Sequence, residues 1–539
     1  MTVTAAVMGA IEPGPPEPPR PPVYVEEAVA AGIAHVYDGE FEYFVGGGVA
    51  AFDCDDDGRQ DLYIAGGTAP ASLYRNLSPT GGALRFERIA APETDLERVV
   101  GAYPLDVDGD GRVDLAVLRR GENAVLRGLG DCAFERANEA LAIDGGDQWT
   151  VAFSATWEAG ASRPTLAFGN YLSIDEAGAT DYTCADHQLL RPDAAGSGYA
   201  APIALAPGWC TLSLLFSDWD RSGRRDLRMT NDRHYYRDGE DQLWRIEPGV
   251  APRLYTREDG WQQLVIWGMG IASEDVTGDG YPEVVLTSQG DNRFQELVDG
   301  PTQPTYADSA LRRGTTAHRP FTGDQTLPST AWHPEFADVN NDGLMDLYLS
   351  KGNVEAQDGY ALEDPSDLLL GLPDGTFVES AREAHLLSFG RSRGAALVDL
   401  NLDGLLDLIE VNRRENVKLF RNTGAATGDG ASTGGAAVPM GHWLALRLRQ
   451  DGGNRDAIGA WVEVRAGDRT TQREVAIGGG HAGDQLGWVH VGLGDRDRAD
   501  VRIHWPDGEV GPWASVAADG FYVVERGSEA PTSWQPPQG

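Results

Sequence analysis

Apolar residues come in short runs along this chain, and the runs are parted by clusters of Gly, Asp, Asn and Pro. Several runs alternate apolar and polar positions, which predicts β-strands rather than helices. The strands recur in fours. A small, apolar strand such as Gly48-Val49-Ala50-Ala51-Phe52 or Gly394-Ala395-Ala396-Leu397-Val398 leads into an acidic turn. Asp-Leu and a second strand follow the turn, as in Leu62-Tyr63-Ile64 and Leu347-Tyr348-Leu349. A third strand comes next (Ser72-Leu73-Tyr74-Arg75-Asn76, Leu368-Leu369-Leu370), then a fourth (Arg85-Phe86-Glu87-Arg88, Thr376-Phe377-Val378-Glu379). Four antiparallel strands repeated every fifty to sixty residues or so predict the blades of a β-propeller.

The acidic turn is written six times, with oxygen side chains at positions 1, 3, 5 and 9 and glycine at position 6. The copies carry Asp53, Asp55, Asp57 and Asp61; Asp106, Asp108, Asp110 and Asp114; and Asp218, Asp220, Ser222 and Asp226. The later three carry Asp275, Thr277, Asp279 and Glu283; Asp338, Asn340, Asp342 and Asp346; and Asp399, Asn401, Asp403 and Asp407. Hard oxygen donors crowded into one tight turn are what Ca²⁺ requires, with the position-7 carbonyl completing the shell. Position 12 is Ile64 in the first copy and Val117 in the second, so the bidentate glutamate of an EF-hand is absent. The expected cofactor is therefore structural Ca²⁺, up to six ions. Each would convert a self-repelling hairpin turn into a clamp.

The gap between the second and third copies is twice the usual period. It holds a hairpin of the same kind, Thr150 to Ser154 and Pro164 to Gly169, whose turn has become Trp157-Glu158-Ala159-Gly160. That makes seven blades, six with acidic turns. The seventh lacks a fourth strand of its own. Val23-Tyr24-Val25-Glu26-Glu27-Ala28 is patterned like Thr376-Phe377-Val378-Glu379-Ser380-Ala381, so the N-terminal strand is expected to complete the last blade and close the ring. The expected domains are a Pro-rich disordered leader (1–22), the propeller (23–422), a Gly/Ala/Ser/Thr linker (423–440), a small β-sandwich or barrel (441–526) and a disordered tail (527–539).

The last domain lacks acidic turns and shows strand candidates at Trp443 to Arg449, Trp461 to Arg465, Gln472 to Ile477, Val489 to Leu493, Val501 to Trp505 and Phe521 to Glu525. Its motifs are Gly441-His442-Trp443-Leu444, Asn454-Arg455-Asp456-Ala457-Ile458-Gly459-Ala460, Gly478-Gly479-Gly480, Val491-Gly492-Leu493-Gly494 and Trp505-Pro506-Asp507-Gly508. In order and spacing they resemble the ASPIC/UnbV domain. The acidic turns resemble FG-GAP/VCBS-type repeats, and residues 23 to 526 as a whole resemble bacterial homologues of cartilage acidic protein 1. The resemblance implies an integrin-α-like seven-bladed propeller with calcium in its blade turns, usually exported, and implies no established reaction.

Composition narrows the partners. The chain of 539 residues has a formal net charge of −39, which excludes nucleic acid and anionic membrane surfaces. Twenty carboxylates stand at ligand positions of the six turns, so a large part of that charge has a local purpose. No apolar run is long enough to span a bilayer. Residues 1–11 lack the basic and long apolar regions of a signal peptide, yet four cysteines and calcium turns favour an extracellular or cell-surface protein. Cys184 and Cys210 flank an insertion in the third blade and are expected to pair; Cys54 and Cys132 either pair between blades or stay as buried thiols.

Two clusters could carry chemistry. The starts of the inner strands collect Tyr103, Trp149, Trp209, Trp267, Trp332, His333, Arg391 and Arg393, which would gather at the mouth of the central channel. The stretch Asn231-Asp232-Arg233-His234-Tyr235-Tyr236 is the densest in reactive side chains, with Asp232 and His234 as acid–base candidates and His481 as a weaker one. No catalytic triad order, HExxH or phosphate loop is present. The function expected is a monomeric, secreted, calcium-stabilised binding or adhesion scaffold for a protein or glycan. The alternative is a lyase or hydrolase, acting on a polysaccharide or secondary metabolite at the channel mouth.

Overall fold

The computed structural model describes residues 20–175, 177–232, 239–298, 300–316, 327–425 and 440–536. Seven antiparallel sheets of four strands come from residues 22–425. Their inner strands are Val49–Phe52, Val99–Leu105, Thr150–Thr156, Thr211–Ser217, Gly268–Glu274, Ala331–Ala337 and Arg391–Val398. Each inner strand packs on the next, and Arg391–Val398 packs on Val49–Phe52, so the sheets form a closed ring. Neighbours on both sides bury Val99–Leu105, Thr150–Thr156 and Thr211–Ser217 at every position. An outer strand such as Phe86–Ile89 buries only Phe86 fully, because one of its faces meets water. That gradient is why small and apolar residues are confined to the first strand of each repeat.

The seventh sheet joins the two ends of the propeller. Pro22–Glu26 runs antiparallel to Lys418–Ala425, with Tyr24 opposite Asn422 and Val25 opposite Arg421. Tyr24 is buried and its hydroxyl donates to the Leu406 carbonyl at 3.1 Å, while Thr423 Oγ1 donates to the Val23 carbonyl at 2.7 Å. A buried ion pair, Arg421 to Glu27 at 2.9 Å, locks the same seam.

Residues 442–534 form two four-stranded sheets packed face to face. One contains Val489–Gly494, His442–Arg449, Gly520–Glu525 and Thr532–Trp534; the other contains Arg469–Glu474, Trp461–Ala466, Arg498–His504 and Ala514–Ala517. Leu444, Leu446, Val462, Val464, Val491, Ile503 and Trp505 fill the space between them. Three expectations need correction. The strand expected to end at Asn422 runs on to Ala425. The tail expected to be disordered from 527 carries the strand Thr532–Trp534, because Trp534 packs on Trp488 and Phe521. The strand expected over Gln472 to Ile477 stops at Glu474, because the chain beyond it leaves the sandwich. Of the expected leader, residues 1–19, and of the expected linker, residues 426–439, lie outside the described residues.

The departing segment, Ile477 to Leu486, enters the propeller channel. Ile477, Gly478, Gly480 and Gly483 form single β-bridges to Ala155, Leu215, Ile271 and Ala102, on four successive inner strands. Asp484–Leu486 then adds in parallel to Val49–Phe52 as a fifth strand of the first sheet. The sixth blade takes part through His333, whose Nδ1 accepts from the His481 backbone N–H at 3.0 Å. Five inner-strand carbonyls and amides that a bare channel would leave to water are thereby paired with one plug. The approach is close: a Cβ at Gly48 would lie 1.7 Å from the Ala482 carbonyl oxygen.

Two outcomes follow from these seams. Deleting residues 1–30 removes the outer strand of the seventh sheet and should abolish cooperative unfolding by circular dichroism; a folded, soluble deletion variant would refute closure by this strand. Gly48→Ala forces the plug out of register and should cost about 1–3 kcal/mol in urea unfolding, whereas the same change at Gly359, where a Cβ meets nothing within 4 Å, should leave the plug in place.

Candidate functional site

The six acidic turns share one backbone. The position-6 glycines Gly58, Gly111, Gly223, Gly280, Gly343 and Gly404 hold φ between +82° and +92°. Position 4 is left-handed as well, by glycine in the second and fourth turns (Gly109, Gly278) and by Asp56, Arg221, Asn341 and Leu402 in the others. In every copy the position-6 N–H donates to the position-1 carboxylate, from 2.7 Å at Asp338 to 3.1 Å at Asp218. The position-9 carboxylate reaches back to the position-2 N–H: Asp61 to Cys54, Asp114 to Val107, Glu283 to Val276, Asp346 to Val339 and Asp407 to Leu400, all at 2.8–3.0 Å. In four turns its other oxygen accepts from the third strand, at Asn76, Gly128, Gly371 and Asn422. Position 9 thus ties turn, second strand and third strand together.

These carboxylates are crowded and dry. Oxygens of Asp53, Asp55 and Asp57, and those of Asp106, Asp108 and Asp114, lie within 4.8 Å of one another. Asp275 Oδ1 and Asn401 Oδ1 are buried without a hydrogen-bond partner. Burial, above all, pushes Asp106 and Asp275 up to about 6 and Asp114, Glu283 and Asp338 up to about 8. Neighbouring carboxylates add to the shift at Asp275 and Asp338. A donor set of clustered hard oxygens, some orphaned, whose ionisation the fold opposes, is the chemistry that Ca²⁺ satisfies. The residues present fit that ion.

The turns differ in how much positive charge the protein already supplies. In the third, Arg224 lies between Asp226 (3.0 Å) and Asp220 (3.3 Å), and Asp226 also accepts from Trp219 Nε1 and the Tyr255 hydroxyl. A guanidinium at that position already offsets part of the turn's negative charge. The first turn meets Arg75 at Asp55, Arg59 at Asp57 (3.0 Å) and Arg447 at Asp53 (3.2 Å). The fourth, fifth and sixth turns show no ion pair among the described residues. In the third blade, which has no acidic turn, Glu158 is paired with Arg191 at 2.6 Å.

All six turns lie on the face that receives the C-terminal sandwich. Trp488 Nε1 donates to the Gly58 carbonyl at 3.0 Å, and Arg225 Nη1 donates to the Pro506 carbonyl at 2.9 Å. Arg221 stacks on Trp461 at 3.7 Å. His490 Nε2 bonds Asn341 Oδ1 at 2.7 Å, and Arg469 Nη1 donates to the Asp342 carbonyl at 3.0 Å. The turns therefore also act as the seat of the second domain.

At the opposite face the channel-mouth candidates are mostly covered. Trp332, His333, Arg393, Tyr103 and Trp149 are buried, Trp209 and Arg391 are half-buried, and Trp267 is exposed. Arg393 stacks on Trp332 at 4.0 Å and donates to the carbonyls of Phe44, Ser392 and Val354. His481 from the plug packs on Trp332, and its ring bonds the Met269 carbonyl and the Gly46 N–H; burial holds it down at about 3, a neutral imidazole. Trp332, His333 and Arg393 are thus brought together, but as the packing around a plug. Asp232 is buried and accepts from the Tyr171 hydroxyl at 2.6 Å, while His234 lies outside the described residues. The plug itself was announced only by its glycine triplet.

Both cysteine pairs are disulfides. Cys184–Cys210 ties the two-stranded excursion Leu172–Ile174 and Thr180–Cys184 to the start of the fourth blade, with Cα atoms 4.8 Å apart. Cys54–Cys132 joins the first acidic turn to the second blade, with Cα atoms 4.7 Å apart. Closing loops of 26 and 78 residues removes chain entropy worth about 3.5 and about 4.5 kcal/mol.

Comparison with known proteins agrees with this anatomy. The FG-GAP-like repeat family matches residues 53–117 and 275–349, and the ASPIC and UnbV family matches residues 450–531. Within the β-propeller, residues 53–117 and 275–349 are thus FG-GAP-like, and the sandwich that follows is ASPIC/UnbV-like over 450–531. No curated protein matches it. Solved structures similar to it include an Agrocybe aegerita lectin that recognises non-reducing terminal N-acetylglucosamine (14% identity, 69% of this chain and 93% of that one, TM-score 0.38). Others are BBS1N in complex with ARL6DN (12%, 74% and 96%, TM-score 0.42) and a hypothetical selenium-binding protein from Sulfolobus tokodaii (11%, 78% and 97%, TM-score 0.39). These likenesses are too distant to bear on function.

The raised carboxylates fix a sign for pH. Their folded values, about 6 to about 8, exceed the ordinary values of 3.8 and 4.5, so the calcium-free fold binds protons that the unfolded chain releases. That contribution is complete below about pH 4 and is lost as pH rises through 6 to 8. In EDTA the melting temperature should therefore fall from pH 5.5 to 8.5, and saturating Ca²⁺ should raise it and flatten the slope. A melting temperature indifferent to both would refute metal in the turns.

Proposed function

We propose that the protein is a secreted, monomeric binding scaffold whose propeller is clamped by Ca²⁺ and whose face opposite the acidic turns takes a glycan or protein. Asp53, Asp106, Asp275, Asp338 and Asp399 with their turn partners would hold the ions, and the third turn, with Arg224 in place, would fill last. Ca²⁺ supplies there the fixed positive charge that keeps the carboxylates ionised. Export rests on two disulfides, and no described helix is long and apolar enough to cross a membrane. The pairing of propeller and C-terminal domain is read as kinship with bacterial homologues of cartilage acidic protein 1.

The observation that carries the binding face is its aromatic rim. Phe41 meets Tyr182 at 5.2 Å, Phe44 at 5.6 Å and Trp149 at 6.0 Å, and Tyr182 is 59% exposed; Trp267, just before the inner strand Gly268–Glu274, is 38% exposed. Exposed rings beside polar backbone suit the flat faces of sugars or an apolar protein anchor. The enzyme alternative has less support, since Trp332, His333 and Arg393 are engaged with the plug and Asp232 with Tyr171. A glycan array with the calcium-loaded chain tests the reading: a positive glycan should bind Tyr182→Ala and Trp267→Ala at least about tenfold more weakly. Unchanged binding by both variants would remove the aromatic rim from the function.

A further inference from the structure

A second site lies on the other side of the plug, between it and the sandwich. The cavity there is about 220 Å³, room for about seven water molecules at the liquid's ~30 Å³ each. Leu215, Ile271, Phe336, Ala396 and Leu486 supply apolar walls, and Gln60, Glu274, Glu335, Glu474, Asp484 and Gln485 supply polar ones. Glu335, Asp484 and Gln485 are half-buried, so the space communicates with solvent.

Its polar groups are unevenly employed. Gln60 is 3% exposed, and both atoms of its carboxamide are without a partner. Glu274 is 5% exposed; its Oε2 accepts from Arg473 Nε at 3.0 Å, but Oε1 accepts from nothing. Gln485 Oε1 and Ser273 Oγ are unpartnered too, although Gln485 Nε2 donates to Glu335 at 2.7 Å. Arg473, the cation nearest these acids, is spent: its other nitrogens donate to the carbonyls of His490 and Phe336. The lining's six carboxylates thus share two guanidiniums, Arg473 and Arg449, and Arg449 is paired with Asp456. Buried polar atoms are paired in most folds, so a set of unpaired acceptors around an acidic cavity marks a place for a donor.

Among the described residues, no three of the cavity's carboxylate and imidazole groups bring ligand atoms within 4.8 Å of one another, as those of the first and second acidic turns do. An unpaired buried acceptor in a partly apolar cavity suits a cation carried on a carbon skeleton. We propose that this cavity binds a small organic amine: an ammonium donating to the unpaired Glu274 Oε1, with its apolar body against Ile271 and Phe336. The site is independent of any partner on the aromatic face. It sits where two domains meet, so its ligand would also tie the sandwich and its plug to the propeller.

Isothermal titration of the full, calcium-saturated chain with phenethylamine, neutral 2-phenylethanol and anionic 3-phenylpropionate tests the charge requirement, the excess Ca²⁺ keeping the acidic turns from the amine. Phenethylamine should bind at least about tenfold more tightly than either analogue and raise the melting temperature; Glu274→Gln should weaken it by about tenfold. Equal binding of the alcohol, no binding of the amine up to about 10 mM, or an amine affinity unchanged in Glu274→Gln would overturn the proposal. The comparison of three ligands on the unaltered chain decides the matter even where a variant fails to fold.

Discussion

The structure depends on keeping charge that water would otherwise solvate. Twenty carboxylates stand in six turns of one backbone, many buried, and the backbone N–H groups that meet them are too few to offset the desolvation. The cost is met by cations drawn from different places. The third blade uses the Glu158–Arg191 pair, the third acidic turn uses Arg224, and the first gathers three arginines. The fourth, fifth and sixth turns have no such partner among the described residues, and Asp275 Oδ1 in the fourth and Asn401 Oδ1 in the sixth are left alone. The turns thus differ in how much of their charge the protein itself offsets, so the proposed Ca²⁺ need not matter to each equally.

From that constraint the rest follows by contact. In the four turns where position 9 also accepts from the third strand, it fixes the spacing of second and third strands, so those blades inherit their geometry from the turns. The blades place all six turns on one face, and the sandwich rests on it through Trp488, Arg447, Trp461, His490 and Arg469. The sandwich in turn delivers Ile477–Leu486 to the channel. A closed ring with polar backbone lining its bore has to fill that bore or leave it to water. Here the filling comes from a second domain, which couples the two cores. Cys54–Cys132 reinforces the same chain of dependence by fastening the first turn to the next blade.

The repeat was legible because its chemistry is unusual: few structures require Asp at four fixed spacings, and each turn brings its own pair of strands. Ring closure was legible through the likeness of the 23–28 and 376–381 stretches. What escaped was governed by contacts that leave no side-chain signature. The plug pairs through backbone groups, and its glycines report only that something comes close. Trp332, His333 and Arg393 share the channel as expected, but a reader of the sequence cannot know that His481, some ninety residues beyond Arg393, occupies the space between them. Trp534 looked like part of a polar tail because its partners, Trp488 and Phe521, lie in other strands.

The filled channel redistributes where function can reside. At the mouth of the bore Arg393 is spent on three carbonyls and His481 is held neutral by burial. Two surfaces remain with uncommitted chemistry, and they differ in kind. The aromatic rim offers exposed rings with little charge, suited to a large partner. The junction cavity offers buried, unpaired acceptors with a net acidic balance, suited to a small one. Because the plug separates them and contacts both, its segment Ile477–Leu486 is the element through which occupation of one side could alter the other: His481 stacks on Trp332 beneath the rim, and Asp484 and Gln485 line the cavity.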